Sequence, residues 1–86
     1  MDINDLIAII KKKLNNQISI ESTKIEDKSF LHKNHAGNQE GKFHLKISLI
    51  STELKTMDKI ESNKKIYKIL EKEIKDYIHS IQILIS

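Results

Sequence analysis

The segment Phe43-His44-Leu45-Lys46-Ile47-Ser48-Leu49 alternates strictly between apolar and polar residues. A period of two residues is typical of a β-strand with one buried face and one solvated face. We therefore predict a strand here, with its apolar side chains in the core. His44 falls on the polar face, where we expect a solvated side chain.

A second alternating segment precedes this strand. Ile18 and Ile20 alternate with polar residues, and the phase then shifts by one residue, so that Thr23 and Ile25 alternate with charged residues. The pattern predicts one strand with a bulge. Because a single polar loop joins the two strands, we expect them to pair as an antiparallel hairpin.

The polar segment between these strands contains His32 and His35 together with both glycines of the chain, Gly37 and Gly41. At the tip of a hairpin, two imidazoles three residues apart are able to reach one metal ion. Histidines in polar loops are nevertheless more often ordinary solvated residues. The local sequence leaves both interpretations open.

Two further segments have a helical period. In the first, apolar residues recur at steps of three and four: Ile3, Leu6, Ile7, Ile10 and Leu14. Asp2 stands at the N-cap position, and we expect this helix to end at Asn15-Asn16. After a turn at 51–53, residues 56–77 predict a second helix, with an apolar stripe and a break allowed near Ser62. The stripe comprises Ile60, Ile66, Tyr67, Leu70 and Ile74.

A basic patch lies on this second helix, at Lys64, Lys65 and Lys68. Such a patch is suited to binding phosphate, although a run of charges on a helix is usually its solvated face.

The final segment, residues 78–85, is short and β-branched, which predicts a strand. In a regular strand His79 shares its face with Ile81, Ile83 and Ile85. We therefore expect His79 to face the core side, either as a histidine with a backbone hydrogen bond or as a ligand.

The order helix, strand, strand, one or two helices, strand predicts an α+β fold. Its simplest packing is a three-stranded mixed sheet with the helices on one face, in a single domain spanning residues 1–86. The formal net charge is +3, and all basic residues are lysine. No apolar run approaches the roughly 20 residues that span a bilayer, so we expect a cytoplasmic protein without a membrane partner.

The absence of cysteine excludes disulfides, thiol nucleophiles and thiolate ligands supplied by this chain. No nucleophile with a neighbouring base is recognisable either, so we do not expect an enzyme.

Several runs of residues resemble the BolA-like proteins, in the same order and with fitting spacing over essentially the whole chain. These runs are Ile25-Glu26-Asp27-Lys28-Ser29, His32, His35-Ala36-Gly37, Lys42-Phe43-His44-Leu45-Lys46-Ile47, Lys64-Lys65-Ile66-Tyr67-Lys68-Ile69-Leu70 and Ile78-His79-Ser80-Ile81. The resemblance implies a class II KH-like fold. It also implies a monothiol glutaredoxin as partner in a heterodimer, with a [2Fe-2S] cluster shared with that glutaredoxin and glutathione.

The same resemblance implies that His79 is one ligand of this cluster. A histidine of the hairpin loop is the other, most simply His32, with His35 as the alternative. The chain departs from the family pattern at Ser62-Asn63-Lys64, where an Arg-His-Arg triplet is usual, and at Leu54-Lys55-Thr56, where a Phe-x-Gly turn is usual.

A nucleic-acid-binding transcriptional regulator is the alternative function, with Lys64, Lys65 and Lys68 as candidate phosphate contacts. A KH domain clamps its ligand with a Gly-x-x-Gly loop. Here Gly37 and Gly41 are one residue too far apart for that loop, and Glu40 lies between them. We therefore expect nucleic-acid binding to be weak and sensitive to salt, through Lys11 to Lys13 and the lysines of the second helix.

Overall fold

The computed structural model describes residues 1–29 and 42–86, which form an α+β fold as predicted. The elements in chain order are α1 (Ile3–Gln17), β1 (Ser22–Asp27), β2 (Phe43–Ile50), α2 (Thr52–Lys55), α3 (Lys59–Ile69), α4 (Glu71–Tyr77) and β3 (Ile78–Ile85). Within these described residues, no helix is long and apolar enough to cross a membrane.

The three strands form one mixed sheet with β2 in the centre. On one side β1 pairs antiparallel with β2, with Ile25 opposite Ile47. On the other side β3 pairs parallel with β2, with Ile83 opposite the same residue. The strictly alternating segment is therefore the central strand, and the predicted antiparallel pairing is confirmed. The class II KH-like label is compatible with this topology and stays a prediction.

The helices and the apolar face of β2 share one hydrophobic core. Leu6, Ile10 and Leu14 of α1 are fully buried, as their spacing of four residues along one helical face requires. They belong to the same buried cluster as Ile47 at the centre of the sheet. The other members of this cluster are Ile18, Leu45, Leu49, Leu54, Ile66, Leu70 and Ile78.

The connection between α1 and β1 differs from the prediction of one bulged strand. The backbone N–H of Ile18 donates to the carbonyl of Leu14 at 2.9 Å, so the hydrogen-bond pattern of α1 continues past Asn15-Asn16. Ile18 is thereby the C-cap of the helix, and its side chain is buried in the core. The strand begins only at Ser22, and its register with β2 runs one to one without a bulge.

The predicted helix over residues 56–77 is in fact two helices, preceded by the short α2. Asp58 begins α3, where its carboxylate accepts from the N–H of Glu61 at 2.8 Å. The boundary between α3 and α4 lies at Leu70 rather than near Ser62. The predicted turn at 51–53 is instead the start of α2, with Ser51 as its N-cap.

The structure also corrects the predicted apolar stripe of this helical region. The buried row of α3 runs through Ser62, Ile66 and Leu70, which are spaced by four residues. Ile60 and Tyr67 lie off that row and are 69% and 42% exposed. The predicted stripe was therefore right for Ile66 and Leu70 and wrong for these two residues.

Ser51 connects the end of β2 to the chain that precedes β1. Its side chain is fully buried, and its hydroxyl donates to the carbonyl of Ser19 at 2.7 Å. The same oxygen accepts from the N–H of Leu54 at 3.2 Å. One hydroxyl thus caps α2 and satisfies a carbonyl of the segment between α1 and β1.

Replacing Ser51 by alanine removes both hydrogen bonds and deprives the buried N–H of Leu54 of its acceptor. We expect the Ser51→Ala variant to lose about 1 to 3 kcal/mol of unfolding free energy, measured by urea denaturation. Ser22→Ala, at an exposed position in β1, is the matched control and should change the unfolding free energy by less than about 0.5 kcal/mol. Equal stability of the two variants would contradict this account of Ser51.

Candidate functional site

His79 is the second residue of β3 and occupies a β-bulge. Phe43 of β2 pairs with Ile78, and the next residue, His44, pairs with Ser80. His79 is thus the extra residue between two pairs of the parallel ladder. A bulge re-aims the side chain of the residue that it inserts.

The bulge overturns the predicted orientation of His79. From Ile81 onward the strand alternates as expected, and its odd-numbered isoleucines face the core side. Ile78 also packs in the core, because the extra residue shifts the parity of everything before it. His79 itself is exposed, and its ring contacts the ring of His44.

His44 is buried, contrary to the prediction of a solvated side chain; only 5% of it is exposed. Its Nδ1 is hydrogen-bonded to the hydroxyl of Ser80 at 2.7 Å. The ring centroids of His44 and His79 lie 4.8 Å apart, with the planes at 62° in an edge-to-face arrangement. These contacts explain why a histidine on the polar face of the sheet is shielded from solvent.

The backbone of His44 is hydrogen-bonded to the two residues that directly follow β1, Lys28 and Ser29. Its N–H donates to the hydroxyl of Ser29 at 3.0 Å. Its carbonyl accepts from the N–H of Lys28 at 2.7 Å. His44 is therefore fixed through its backbone as well as through its ring.

The topology places His79 at the end of the sheet where residues 29 and 42 lie. Because β3 is parallel to β2, both strands begin at this end. Lys42, just before β2, donates from Nζ to the carbonyl of Lys75 in α4 at 3.3 Å. His32 and His35 lie outside the described residues, so their predicted proximity to His79 stays a prediction.

Glu26 and two lysines form an ion-pair network beside this end of β1. The Glu26 carboxylate lies 2.7 Å from Nζ of Lys28 and 3.2 Å from Nζ of Lys24. The hydrogen bond from Lys28, followed by that from Lys24, lowers the pKa of Glu26 from its usual 4.5 to about 2. This carboxylate restrains Lys28, whose backbone N–H is bonded to His44.

The three predicted phosphate contacts are not equivalent. Lys65 is paired with Glu53 at 3.0 Å, and its hydrogen bond is the main reason why the pKa of Glu53 is lowered. Lys65 and Lys68 line a groove of about 590 Å³ beside α1, in which Lys13 also lies. Lys64 is exposed and does not line this groove.

Lys13 also lines this groove, although it is not part of the predicted basic patch on the second helix. Its Nζ lies 2.6 Å from the carboxylate of Glu73, a side chain of α4 that is only 5% exposed. Two of the three groove lysines, Lys13 and Lys65, are therefore already paired with carboxylates. The run of lysines at 11–13 is visible in the sequence, but only the packing of α1 against α3 brings Lys13 beside Lys65 and Lys68.

Within residues 1–29 and 42–86, no group of three or more histidine, cysteine, aspartate or glutamate side chains is arranged to hold a metal ion. His79 offers one exposed imidazole, a ligand type that accompanies thiolates in mixed-ligand iron-sulfur clusters. The chemistry of this donor fits a [2Fe-2S] centre whose other ligands come from elsewhere. It does not fit a centre completed by the described residues alone.

A family model described as BolA-like protein matches residues 14–86. The chain belongs to the BolA-like protein family. The resemblance predicted from the sequence is thereby confirmed. Ser62 and Asn63, at two of the three positions where the resemblance implies an Arg-His-Arg triplet, bond within α3. Ser62 Oγ and Asn63 Nδ2 both donate to the carbonyl of Lys59, at 3.1 and 2.7 Å.

Individual BolA-like relatives support the family assignment and the fold. The DNA-binding transcriptional regulator BolA of Haemophilus influenzae is 27% identical over 73 residues, which cover 85% of this chain and 68% of the relative. The BolA domain of SufE1 from Arabidopsis thaliana superposes with a TM-score of 0.75 at 23% identity, covering 92% of this chain and 87% of that domain. BolA1 from the same plant gives a TM-score of 0.77 at 20% identity, covering 93% and 88%. At these identities, the structural comparisons show a shared fold only.

The ion-pair network at Glu26 makes a prediction about pH. Because its folded pKa of about 2 lies below the usual 4.5, Glu26 contributes to stability above pH 4.5, and this contribution is lost as the pH falls toward 2. We expect Lys28→Ala to raise the pKa of Glu26 toward 4.5, measured from the carboxyl ¹³C shift. Lys46→Ala is the matched control, since Lys46 faces Glu26 across the ladder but does not contribute to its lowered pKa. An unchanged pKa in Lys28→Ala would contradict the assignment.

Proposed function

We propose that this protein is an adaptor that pairs with a monothiol glutaredoxin and supplies His79 as a ligand to a shared [2Fe-2S] cluster. The observation that carries the proposal is the exposed imidazole of His79 on the bulge at the start of β3. A regular strand would have turned this side chain toward the core. The bulge leaves it accessible to another molecule.

The ligand chemistry of the chain supports a shared site. The chain has no cysteine, so its contribution to a cluster is limited to imidazole. In the proposal, the glutaredoxin and glutathione supply the thiolates, and the second imidazole comes from His32, with His35 as the alternative. The bound cluster would make the pair competent in iron-sulfur trafficking or in iron and redox regulation. We place this role in the cytoplasm and assign no enzymatic reaction to the chain.

The direct test is to mix the protein with a cluster-bearing monothiol glutaredoxin and to record visible absorption and circular dichroism. We expect the wild-type protein to change both spectra, because an imidazole replaces another ligand of the cluster. His79→Ala should abolish the change. Gln82→Ala, an exposed position farther along the same strand, is the matched control and should behave like the wild type. Spectra that stay the same on addition of the wild-type protein would refute the proposal.

The choice between the two loop histidines is tested in the same assay. We expect His32→Ala to reduce the spectral change and His35→Ala to leave it intact. The opposite result would move the ligand assignment to His35. The glutaredoxin pairing would stand in either case if His79→Ala remains inactive.

Nucleic-acid binding is a second candidate, favoured by the name of the Haemophilus influenzae relative and by the groove that contains Lys13, Lys65 and Lys68. Lys68 has no ion pair within the described residues, so it is the groove lysine best able to contact a phosphate. Each such contact releases about one counterion from the DNA.

Lys68→Ala should therefore weaken duplex DNA binding and reduce the slope of log affinity against log salt by about 1. The matched control is Lys72→Ala, an exposed lysine of α4 that does not line the groove. Measurements of fluorescence anisotropy over a range of salt concentrations give both quantities. If the two variants bind equally, the groove is not the contact surface.

A further inference from the structure

We propose that His44 is a positioning residue that holds the ring of His79 in one orientation, ready to act as a ligand. This inference rests on the proposed function for its purpose, but its geometry is independent of any cluster. The resemblance to the BolA-like proteins implies no role for His44. The burial of the residue and its contacts with β3 point to it.

The first observation is the contact between the two rings. At a centroid separation of 4.8 Å and an interplanar angle of 62°, His79 packs edge to face against His44. Aromatic pairs favour this arrangement over a direct face-to-face sandwich. An exposed side chain at a bulge is otherwise free to sample several rotamers, and ordering it costs conformational entropy. A neighbouring ring that limits those rotamers lowers the cost of binding.

The second observation is that His44 is itself immobilised. Its ring is hydrogen-bonded to Ser80 at 2.7 Å, directly across the parallel ladder. Its backbone is bonded to Ser29 and Lys28. Because His44 is only 5% exposed and is hydrogen-bonded through both its backbone and its ring, it is a rigid packing surface for the ring of His79.

The third observation is the place of the Ser80 bond relative to the bulge. Ser80 is the residue immediately after His79, and it is the first to return to register with β2. The hydrogen bond between its hydroxyl and Nδ1 of His44 therefore holds β3 to β2 directly after the extra residue. The same imidazole thus contacts both the ring of His79 and the strand that carries it.

The test uses the protein alone, by NMR. Three-bond couplings about χ1 of His79 should show one dominant rotamer in the wild type and averaging over rotamers in His44→Ala. His44→Phe keeps a ring against His79 and should restore the single rotamer. The χ1 couplings of Ile83, which lies on the core side of the same strand, are the internal control and should be the same in all three proteins.

Each outcome of this experiment decides the proposal. Averaging confined to His79 in His44→Ala, with recovery in His44→Phe, supports it. Averaged couplings of His79 in the wild type, or unchanged couplings in His44→Ala, overturn it. Averaging of both His79 and Ile83 also overturns it, because His44 would then be a structural residue of β3 and not a positioning residue.

A second measurement connects the positioning to the proposed function. In the complex with cluster-bearing glutaredoxin, removal of the cluster by a chelator should be about 10-fold faster for His44→Ala than for the wild type, as is typical when a residue supporting a ligand is lost. Affinity for the cluster-free glutaredoxin should be the same for both proteins. Equal rates of removal would overturn the role in ligation. If no protein, including the wild type, changes the cluster spectra, the proposed function fails, while the NMR result still decides the positioning.

Discussion

The parallel pairing of β3 with β2 is the constraint on which the candidate site depends. It makes both strands begin at one end of the sheet, where the chain also leaves β1. The helices α2, α3 and α4 form the crossover that a parallel connection requires, and they cover the core face of β2. The first residues of β3 are therefore held beside Ser29 and Lys42, the described residues that flank 30–41.

Within this frame, one inserted residue determines which side chain is offered to a partner. The bulge keeps Ile78 in the core and releases His79 from it. His44 and Ser80, opposite each other after the bulge, close the ladder again with a bond between their side chains. The exposed imidazole of His79 is thus presented on a strand that the bond between His44 and Ser80 holds in place. In the proposed function, two molecules complete the metal centre together, because this chain has no cysteine and contributes only imidazole.

Local sequence patterns were sufficient for the strand at 43–49 and for α1, because each has a clean period and Asp2 caps the helix as expected. The orientation of His79 was mispredicted because regular alternation was assumed for the whole of β3. The two successive polar residues His79-Ser80, between Ile78 and Ile81, mark the change of parity, but only the pairing with β2 shows which of them is the extra residue. The burial of His44 depends on the same pairing. The apolar stripe was misplaced at Ile60 and Tyr67, because the row of α3 that faces the core includes the polar Ser62, which an apolar pattern does not detect. Lys13 belongs to a run of lysines that is visible in the sequence, but its position beside Lys65 and Lys68 depends on helix packing.

The most direct measurement of the central claim is pulsed electron paramagnetic resonance of the reduced cluster in the complex. The protein would carry ¹⁵N-labelled histidine, and the glutaredoxin would be unlabelled. The account predicts a strongly coupled ¹⁵N signal that disappears selectively in His79→Ala. A complex that forms and retains its cluster without a ¹⁵N coupling from this chain would contradict the account, since His79 would then not be a ligand.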